Sequence, residues 1–79
     1  MKLYDLCIIQ DNPDYQDLVG NYAIIIEDYD EYFLMEIWTF SDKRENRILG
    51  IFKKYLRKAT KEEEEEYLKK FNEYCKDYL

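Results

Sequence analysis

The most constraining feature of the chain is a pair of strand-like runs joined by a short acidic segment, from Val19 to Phe40. Both runs are rich in β-branched and aromatic side chains, whereas the tetrad Asp28-Tyr29-Asp30-Glu31 between them is polar. This pattern predicts a β-hairpin with a four-residue loop. Apolar side chains occupy both sets of alternating positions in the second run, so we expect both faces of the hairpin to be largely covered.

The small size of the chain requires an efficient core. With 79 residues it forms one domain, residues 1–79, and a chain of this length buries only about 60–65 % of its unfolded surface. The sequence compensates with 9 Tyr, 4 Phe and 1 Trp, because each aromatic ring can bury ~150–250 Å². We therefore expect a core that needs no metal or disulfide.

The cysteines and the lengths of the apolar segments indicate which cellular compartment and which cofactors to expect. Cys7 and Cys75 lie at opposite ends of the chain without metal-ligand spacing, and there is no histidine. Two reduced thiols are expected, and neither a zinc site nor a cofactor site is predicted. Met1 and Lys2 lead directly into a strand-like run without an export signal, and no apolar segment approaches the ~20 residues of a membrane span. The expected location is cytoplasmic, with no membrane association.

Two further strands are predicted outside the hairpin. Residues 1–10 contain enough apolar side chains for a first strand, which Pro13 ends within a polar turn. Residues 48–52 are short and apolar and predict a fourth strand after a polar loop. Residues 53–57 fit either a single helical turn or an extension of that strand.

The C-terminal segment predicts an amphipathic helix over residues 60–79. Thr60 and Glu63 have the spacing of a capping box, and the acidic residues that follow suit the positive end of the helix dipole. An apolar stripe follows at helical spacing: Tyr67, Leu68, Phe71, Tyr74, Cys75, Tyr78 and Leu79. The stripe can pack on the sheet, which is the default, or pair with the helix of a second copy.

The order of these segments resembles a known family. The residues that carry the resemblance are Asp17-Leu18-Val19-Gly20, the runs 22–27 and 32–37, Gly50-Ile51-Phe52 and Tyr55-Leu56-Arg57. Over residues 3–58 they are similar to an SH3-like small β-barrel, as in transcription-factor-type members and small uncharacterised phage and mobile-element proteins. The resemblance implies a small antiparallel β-sheet or SH3-like barrel of about four to five strands. Together with the C-terminal amphipathic helix over residues 60–79, which lies outside the resemblance, this predicts an α+β fold.

Charge separates this chain from nucleic-acid-binding members of that family. The net charge is −6, distributed as −8 over residues 1–40, +6 over residues 41–61 and −4 over residues 62–79. A strongly acidic half disfavours direct nucleic-acid binding and favours a partner protein with a basic surface. Enzymatic activity is not expected, because histidine is absent, Ser41 lies in a charged loop and Cys7 lies in an apolar run.

The leading hypothesis is a non-enzymatic inhibitor or adaptor that docks on a basic, nucleic-acid-binding protein surface. Its most concrete form is a phage or mobile-element anti-defence protein, an anti-CRISPR-like DNA mimic. The predicted protein-binding residues are Glu27, Asp28, Tyr29, Asp30, Glu31, Tyr32 and Trp38. The alternative readings are a solvated hairpin tip for the acidic residues, and burial beneath the helix for Tyr32, Trp38 and Phe40.

Two other functions remain open from the sequence. A nucleic-acid-binding domain would use the basic stripe with Lys53, Lys54, Arg57 and Lys58, although these residues can equally balance the protein's own carboxylates. A structural subunit would self-associate through the helix stripe or an edge of the hairpin. The chain is accordingly expected to be a monomer or a homodimer.

Overall fold

The protein folds as one antiparallel sheet with a single C-terminal helix. The computed structural model describes residues 1–38 and 47–76, with only the backbone described at residue 47. The regular elements are β1 (Leu6–Ile9), β2 (Tyr22–Asp28), β3 (Tyr32–Trp38), β4 (Arg47–Phe52), β5 (Leu56–Lys58) and α1 (Lys61–Lys76). The predicted α+β class, with a small antiparallel sheet and a C-terminal helix, is confirmed.

The sheet is open, which corrects the expectation of a closed barrel. Its strand order is β4-β3-β2-β1-β5, and all four pairings are antiparallel. Closure would require β4 to pair with β5, but β5 has only three residues and pairs with β1 alone. Two residues after β5 the chain turns into α1. Both faces of the sheet are instead covered separately.

The predicted hairpin is present, with a slightly shorter loop than expected. Asp28 is the last residue of β2, so residues 29–31 connect the strands rather than all four residues of the acidic tetrad. The register between β2 and β3 shifts between Ile25 and Glu27. This bulge increases the local twist just before the loop.

Two other boundaries also differ from the sequence prediction. The regular part of the first strand begins at Leu6, because Tyr4 has a φ of 70° and breaks the extended conformation. The segment that fitted either a helical turn or a strand contains both. A 3₁₀ turn spans Lys53–Tyr55, and β5 begins at Leu56.

One face of the sheet, called here the core face, carries the main hydrophobic cluster. Its buried members are Cys7, Ile9, Leu18, Ala23, Ile25, Phe33, Met35, Ile37, Ile51 and Leu56. The strand residues among them recur at every second position, as the pleat requires. Cys7 and Cys75 are free, as expected. Burial is the main cause that raises the pKa of the Cys7 thiol to about 11, so this group is a poor nucleophile.

The opposite face, called here the helix face, is covered in part by α1. Its buried cluster consists of Leu6, Ile8, Tyr22, Trp38, Ala59 and Tyr67. The Trp38 ring meets those of Tyr67, Phe71 and Tyr74 edge-on, with centroid distances of 6.3, 5.2 and 5.6 Å. Edge-to-face geometry at these separations is favourable. The predicted packing of the helix stripe on the sheet is confirmed at Tyr67, Phe71 and Tyr74, whereas Leu68 of the same predicted stripe is 55 % exposed.

The first turn of α1 has a capping box and is also joined to β5 by side-chain hydrogen bonds. The Glu63 amide donates to Thr60 Oγ1 at 3.2 Å, and the Thr60 amide donates to Glu63 Oε1 at 2.9 Å, which confirms the capping box. Arg57 donates to both oxygens of the Glu63 carboxylate, at 2.6 and 2.8 Å. These Arg57 hydrogen bonds, followed by the one from the Thr60 amide, lower the pKa of Glu63 to about 2.

The Trp38 cluster predicts a large stability difference between two truncations. Trp38→Ala should lower the free energy of unfolding by about 3–5 kcal/mol, because it leaves a cavity between α1 and the sheet. Leu68→Ala, at an exposed position on the same helix, should change it by less than about 0.5 kcal/mol. Urea denaturation followed by circular dichroism measures both. Equal losses would show that α1 does not cover Trp38.

The Glu63 pairing predicts a specific acid titration. The folded-state pKa of about 2 lies below the ordinary value of 4.5, so the stabilisation is present above pH 4.5 and is lost as the pH falls towards 2. Arg57→Gln should return the NMR-detected midpoint of Glu63 towards its ordinary value and destabilise the protein at neutral pH. It should have little effect on stability below pH 2. A Glu63 midpoint that does not move in Arg57→Gln would contradict this assignment.

Candidate protein-binding surface

The acidic loop between β2 and β3 has a defined conformation. Asp28 Oδ1 accepts a hydrogen bond from the Asp30 amide at 3.0 Å, which closes an Asx turn. Asp30 has a φ of 71°, in the left-handed region that aspartate tolerates better than most residues. The Tyr29 amide donates to the Tyr32 carbonyl at 3.0 Å. The loop therefore holds its side chains on a fixed backbone.

Three exposed aromatic side chains line up beside this loop, and we call them the aromatic row: Tyr29, Tyr32 and Phe52. The rings of Tyr29 and Tyr32 stack at a centroid distance of 5.3 Å with an interplanar angle of 16°. Tyr32 meets Phe52 edge-on at 6.3 Å. The exposed fractions of Tyr29, Tyr32 and Phe52 are 47, 37 and 45 %. The row is thus ordered by its own contacts and remains open to solvent.

A glycine on β4 allows the aromatic row to lie flat against the sheet. A β-carbon at Gly50 would lie 3.0 Å from Cδ2 of Tyr32, which is tighter than nine in ten such contacts in proteins. The ring of Tyr32 therefore occupies the space above the β4 backbone that a side chain would otherwise fill. Tyr32 is paired in register with Phe52, so this ring bridges β3 and β4 at the end nearest the loop.

Carboxylates lie at the loop end of the aromatic row. All residues from Glu27 to Glu31 are exposed. In the part of the chain that the structure describes, the only ion pair of this loop joins Asp28 to Lys53, at 2.8 Å. The hydrogen bond from Lys53, and next that from the Asp30 amide, lowers the pKa of Asp28. The hydroxyl of Tyr29 donates to Glu27, which raises the pKa of that tyrosine.

A shallow depression adjoins the aromatic row. It is lined by Glu31, Phe52, Lys53 and Lys54 and has a volume of about 410 Å³. Lys54 lies over the rings of Phe52 and Tyr55, with its Nζ 6.0 and 5.1 Å from the centroids. The surface thus combines aromatic area, carboxylates and a concavity within one end of the sheet.

Trp38 does not belong to this surface, which corrects its predicted role in protein binding. Only 9 % of the residue is exposed, because α1 covers it. Its Nε1 donates to Glu36 Oε1 at 2.7 Å, so its polar atom is satisfied within the molecule. Of the three aromatic residues weighed for burial or exposure, Trp38 is buried and Tyr32 is exposed. Phe40 lies outside the described residues.

The predicted nucleic-acid-binding residues are engaged within the protein. Lys53 pairs with Asp28, Arg57 pairs with Glu63 at 2.6 Å, and the Lys58 ammonium lies 4.0 Å from Asp5. Lys54 lies over aromatic rings, as described above. Three of the four residues thus lie near carboxylates of the same chain, as the alternative reading of the basic stripe expects.

Phe52 and Gly50 are the members of this surface that the sequence did not single out. The sequence predicts that Phe52 belongs to an apolar fourth strand. The residues of that strand alone do not show which side chains are exposed and which are buried. The register between β3 and β4 identifies Phe52 as a member of this surface, because it places Phe52 opposite Tyr32. Once Tyr32 is known to face solvent, its cross-strand neighbour must lie on the same face.

The ranges 1–38 and 47–76 also bear on metal and membrane sites. Within them, no group of three or more cysteine, aspartate or glutamate side chains is arranged to hold a metal ion. No helix in these ranges is long and apolar enough to cross a bilayer.

Comparison of the chain with protein-family models, curated protein sequences and solved structures gave no match.

The positive φ of Asp30 predicts opposite effects from two substitutions. Asp30→Gly should keep or raise the free energy of unfolding by up to about 1 kcal/mol, because glycine adopts this conformation without a steric cost. Asp30→Val should lower it by about 1–2 kcal/mol, since a β-branched side chain clashes there. Thermal denaturation compares the two variants.

Glycine and valine substitutions at Glu31 are the matched control for the two substitutions at Asp30. Glu31 lies in the same loop but outside the left-handed region. Glu31→Val should therefore be tolerated and Glu31→Gly should be slightly destabilising. The same ranking of glycine and valine at both positions would contradict the described loop conformation.

Proposed function

We propose that the protein is a non-enzymatic binding module that docks on a basic protein surface through the aromatic row and the acidic loop. The single observation that carries this proposal is an exposed, ordered set of aromatic rings beside a run of exposed carboxylates. Aromatic side chains contribute most of the energy in many protein interfaces. The carboxylates supply complementarity to lysine and arginine and exclude acidic partners.

The preformed geometry of the loop supports recognition. The Asx turn at Asp28 and the stacking of Tyr29 on Tyr32 hold the loop before any partner arrives. Ordering flexible side chains on binding typically costs about 0.5–1.5 kcal/mol for each one. A surface that is already ordered avoids much of that cost, so affinity depends more directly on the contacts made.

The partner we propose is a nucleic-acid enzyme whose groove is lined by lysine and arginine. The carboxylates of Glu27, Asp30 and Glu31 would take the positions of phosphates in such a groove, as in a DNA mimic. A phage or mobile-element protein that inhibits an RNA-guided host nuclease in the cytoplasm fits this chemistry. Direct nucleic-acid binding is the weaker candidate, because Lys53, Arg57 and Lys58 already neutralise carboxylates of the same chain.

The test compares two charge variants with equal net charge. Asp30→Asn with Glu31→Gln removes two carboxylates from the acidic loop and leaves the Asp28 turn intact. Glu65→Gln with Glu73→Gln removes two exposed carboxylates from α1. Each variant has its net charge reduced from −6 to −4, so only the position of the lost charge differs.

We expect the loop variant to bind at least about tenfold more weakly, with the helix variant within about twofold of the wild type. The partner is first captured from a cell lysate on immobilised protein and is then purified for calorimetry at several salt concentrations. Affinity should fall with salt, and its salt dependence should be shallower in the loop variant. Equal losses in both variants, or affinity unaffected by salt, would contradict the proposed function.

A further inference from the structure

The two edges of the open sheet differ in how well they are protected against pairing. At one edge, β5 is only three residues long and includes Arg57 and Lys58. At the other edge, β4 has six residues, and residues 48–52 carry neither charge nor proline. Short length and charge are the usual protections of an exposed edge strand. In the part of the chain that the structure describes, no strand pairs with the outer edge of β4.

The hydrogen-bond pattern shows which backbone groups β4 presents at that edge. The Lys53 amide donates to the Glu31 carbonyl at 3.1 Å, in continuation of the register in which Phe52 is opposite Tyr32. In an antiparallel pair, the bonded residues alternate with residues whose backbone groups point away. The odd-numbered residues of β4 therefore bond to β3. The N–H and C=O groups of Ile48, Gly50 and Phe52 point outwards.

We propose that a second copy of the chain pairs with this edge, antiparallel, about a two-fold axis that passes between the two Gly50 residues. In this register Ile48 of each copy is opposite Phe52 of the other, and Gly50 is opposite Gly50. The outward N–H and C=O groups of all three residues then find partners. A shift of the register by two residues in one direction would place Ile48 opposite Lys54, which lies in the 3₁₀ turn and not in a strand. The interaction is isologous and closes as a dimer.

The side chains on the helix face are symmetric about the same axis. Ile48 and Phe52 are 57 and 45 % exposed, and each lies two residues from Gly50. Neighbouring β4 residues 49 and 51 face the core, so Ile48, Gly50 and Phe52 share the helix face. Pairing would place a β-branched side chain against an aromatic ring on each side of the axis, a favourable cross-strand combination. Gly50 leaves room beside the axis for the Tyr32 ring of each copy.

The charges at the ends of β4 are compatible with this arrangement. Arg47 of one copy stands opposite Lys53 of the other, whose ammonium is already paired with Asp28 at 2.8 Å. Glu31 is the β3-side neighbour of Lys53, since its carbonyl accepts from the Lys53 amide. Lys53 therefore adds little unpaired positive charge at this end of the proposed interface. The whole chains repel each other at −6 each, so added salt should strengthen the dimer.

The first experiment is sedimentation equilibrium over a wide range of protein concentration, with two lysine variants. Ile48→Lys places a charge beside the axis at a position that is exposed in the monomer, and it should weaken self-association at least about tenfold. Leu68→Lys is the matched control, because Leu68 is 55 % exposed on α1, away from β4. It should leave association unchanged. A strictly monomeric wild type, or a dimer weakened by Leu68→Lys and not by Ile48→Lys, would overturn the proposal.

Amide hydrogen exchange gives a second, residue-specific result. The amides of Ile48, Gly50 and Phe52 should become protected as the protein concentration rises. The amides of Leu49 and Ile51, which already bond to β3, should show much smaller changes. Exchange at the three outward amides that does not depend on concentration would overturn the proposal.

Different experimental results would contradict the proposed dimer and the proposed partner binding. Self-association is expected to strengthen with salt and to survive Asp30→Asn with Glu31→Gln. Binding to a basic partner is expected to weaken under both changes. A monomeric protein that still binds a basic partner would remove only the dimer, whereas a dimer without such a partner would remove only the proposed function.

Discussion

The structure depends on the packing of one tryptophan between the sheet and the helix. Trp38 ends β3 on the helix face, whereas Phe33, Met35 and Ile37 of the same strand lie on the core face. β3 is therefore buried on both sides at the end that carries Trp38, although the sheet is small. Without α1, the Trp38 ring and the apolar side chains of β1 and β2 on that face would be open to water. The helix is thus an integral part of the fold rather than an appendage.

Because a single helix covers only part of the sheet, the aromatic row and the acidic loop remain exposed. α1 follows β5 and lies over β1, β2 and the end of β3, as the members of its cluster show. The opposite end of β3 and the outer positions of β4 remain outside this cluster. Tyr32 and Phe52 lie there, together with the acidic loop. An open sheet that is only partly covered thus leaves this aromatic surface exposed.

Local sequence signals predicted the elements well where each signal is contained in a few neighbouring residues. Thr60 and Glu63 form the capping box that their spacing predicts, and the hairpin around the acidic tetrad is in place. Barrel closure was wrong because it depends on whether β4 reaches β5, which is a property of the whole chain. The role of Trp38 was wrong for a related reason, since its exposure depends on where a distant helix packs. The contribution of Phe52 to the surface required the register between two strands, which sequence periodicity alone does not give.

α1 buries Trp38, whereas Tyr29 and Tyr32 are open to solvent. Photochemically induced nuclear polarisation measures this difference in exposure, because a photoexcited dye polarises only the tyrosine and tryptophan rings that the dye can reach. The chain has a single tryptophan, so its signal is unambiguous. We expect polarised signals from Tyr29 and Tyr32 and none from Trp38 in the native protein, with a Trp38 signal appearing on unfolding in urea. A strong native signal from Trp38, together with silent rings at Tyr29 and Tyr32, would contradict this expectation.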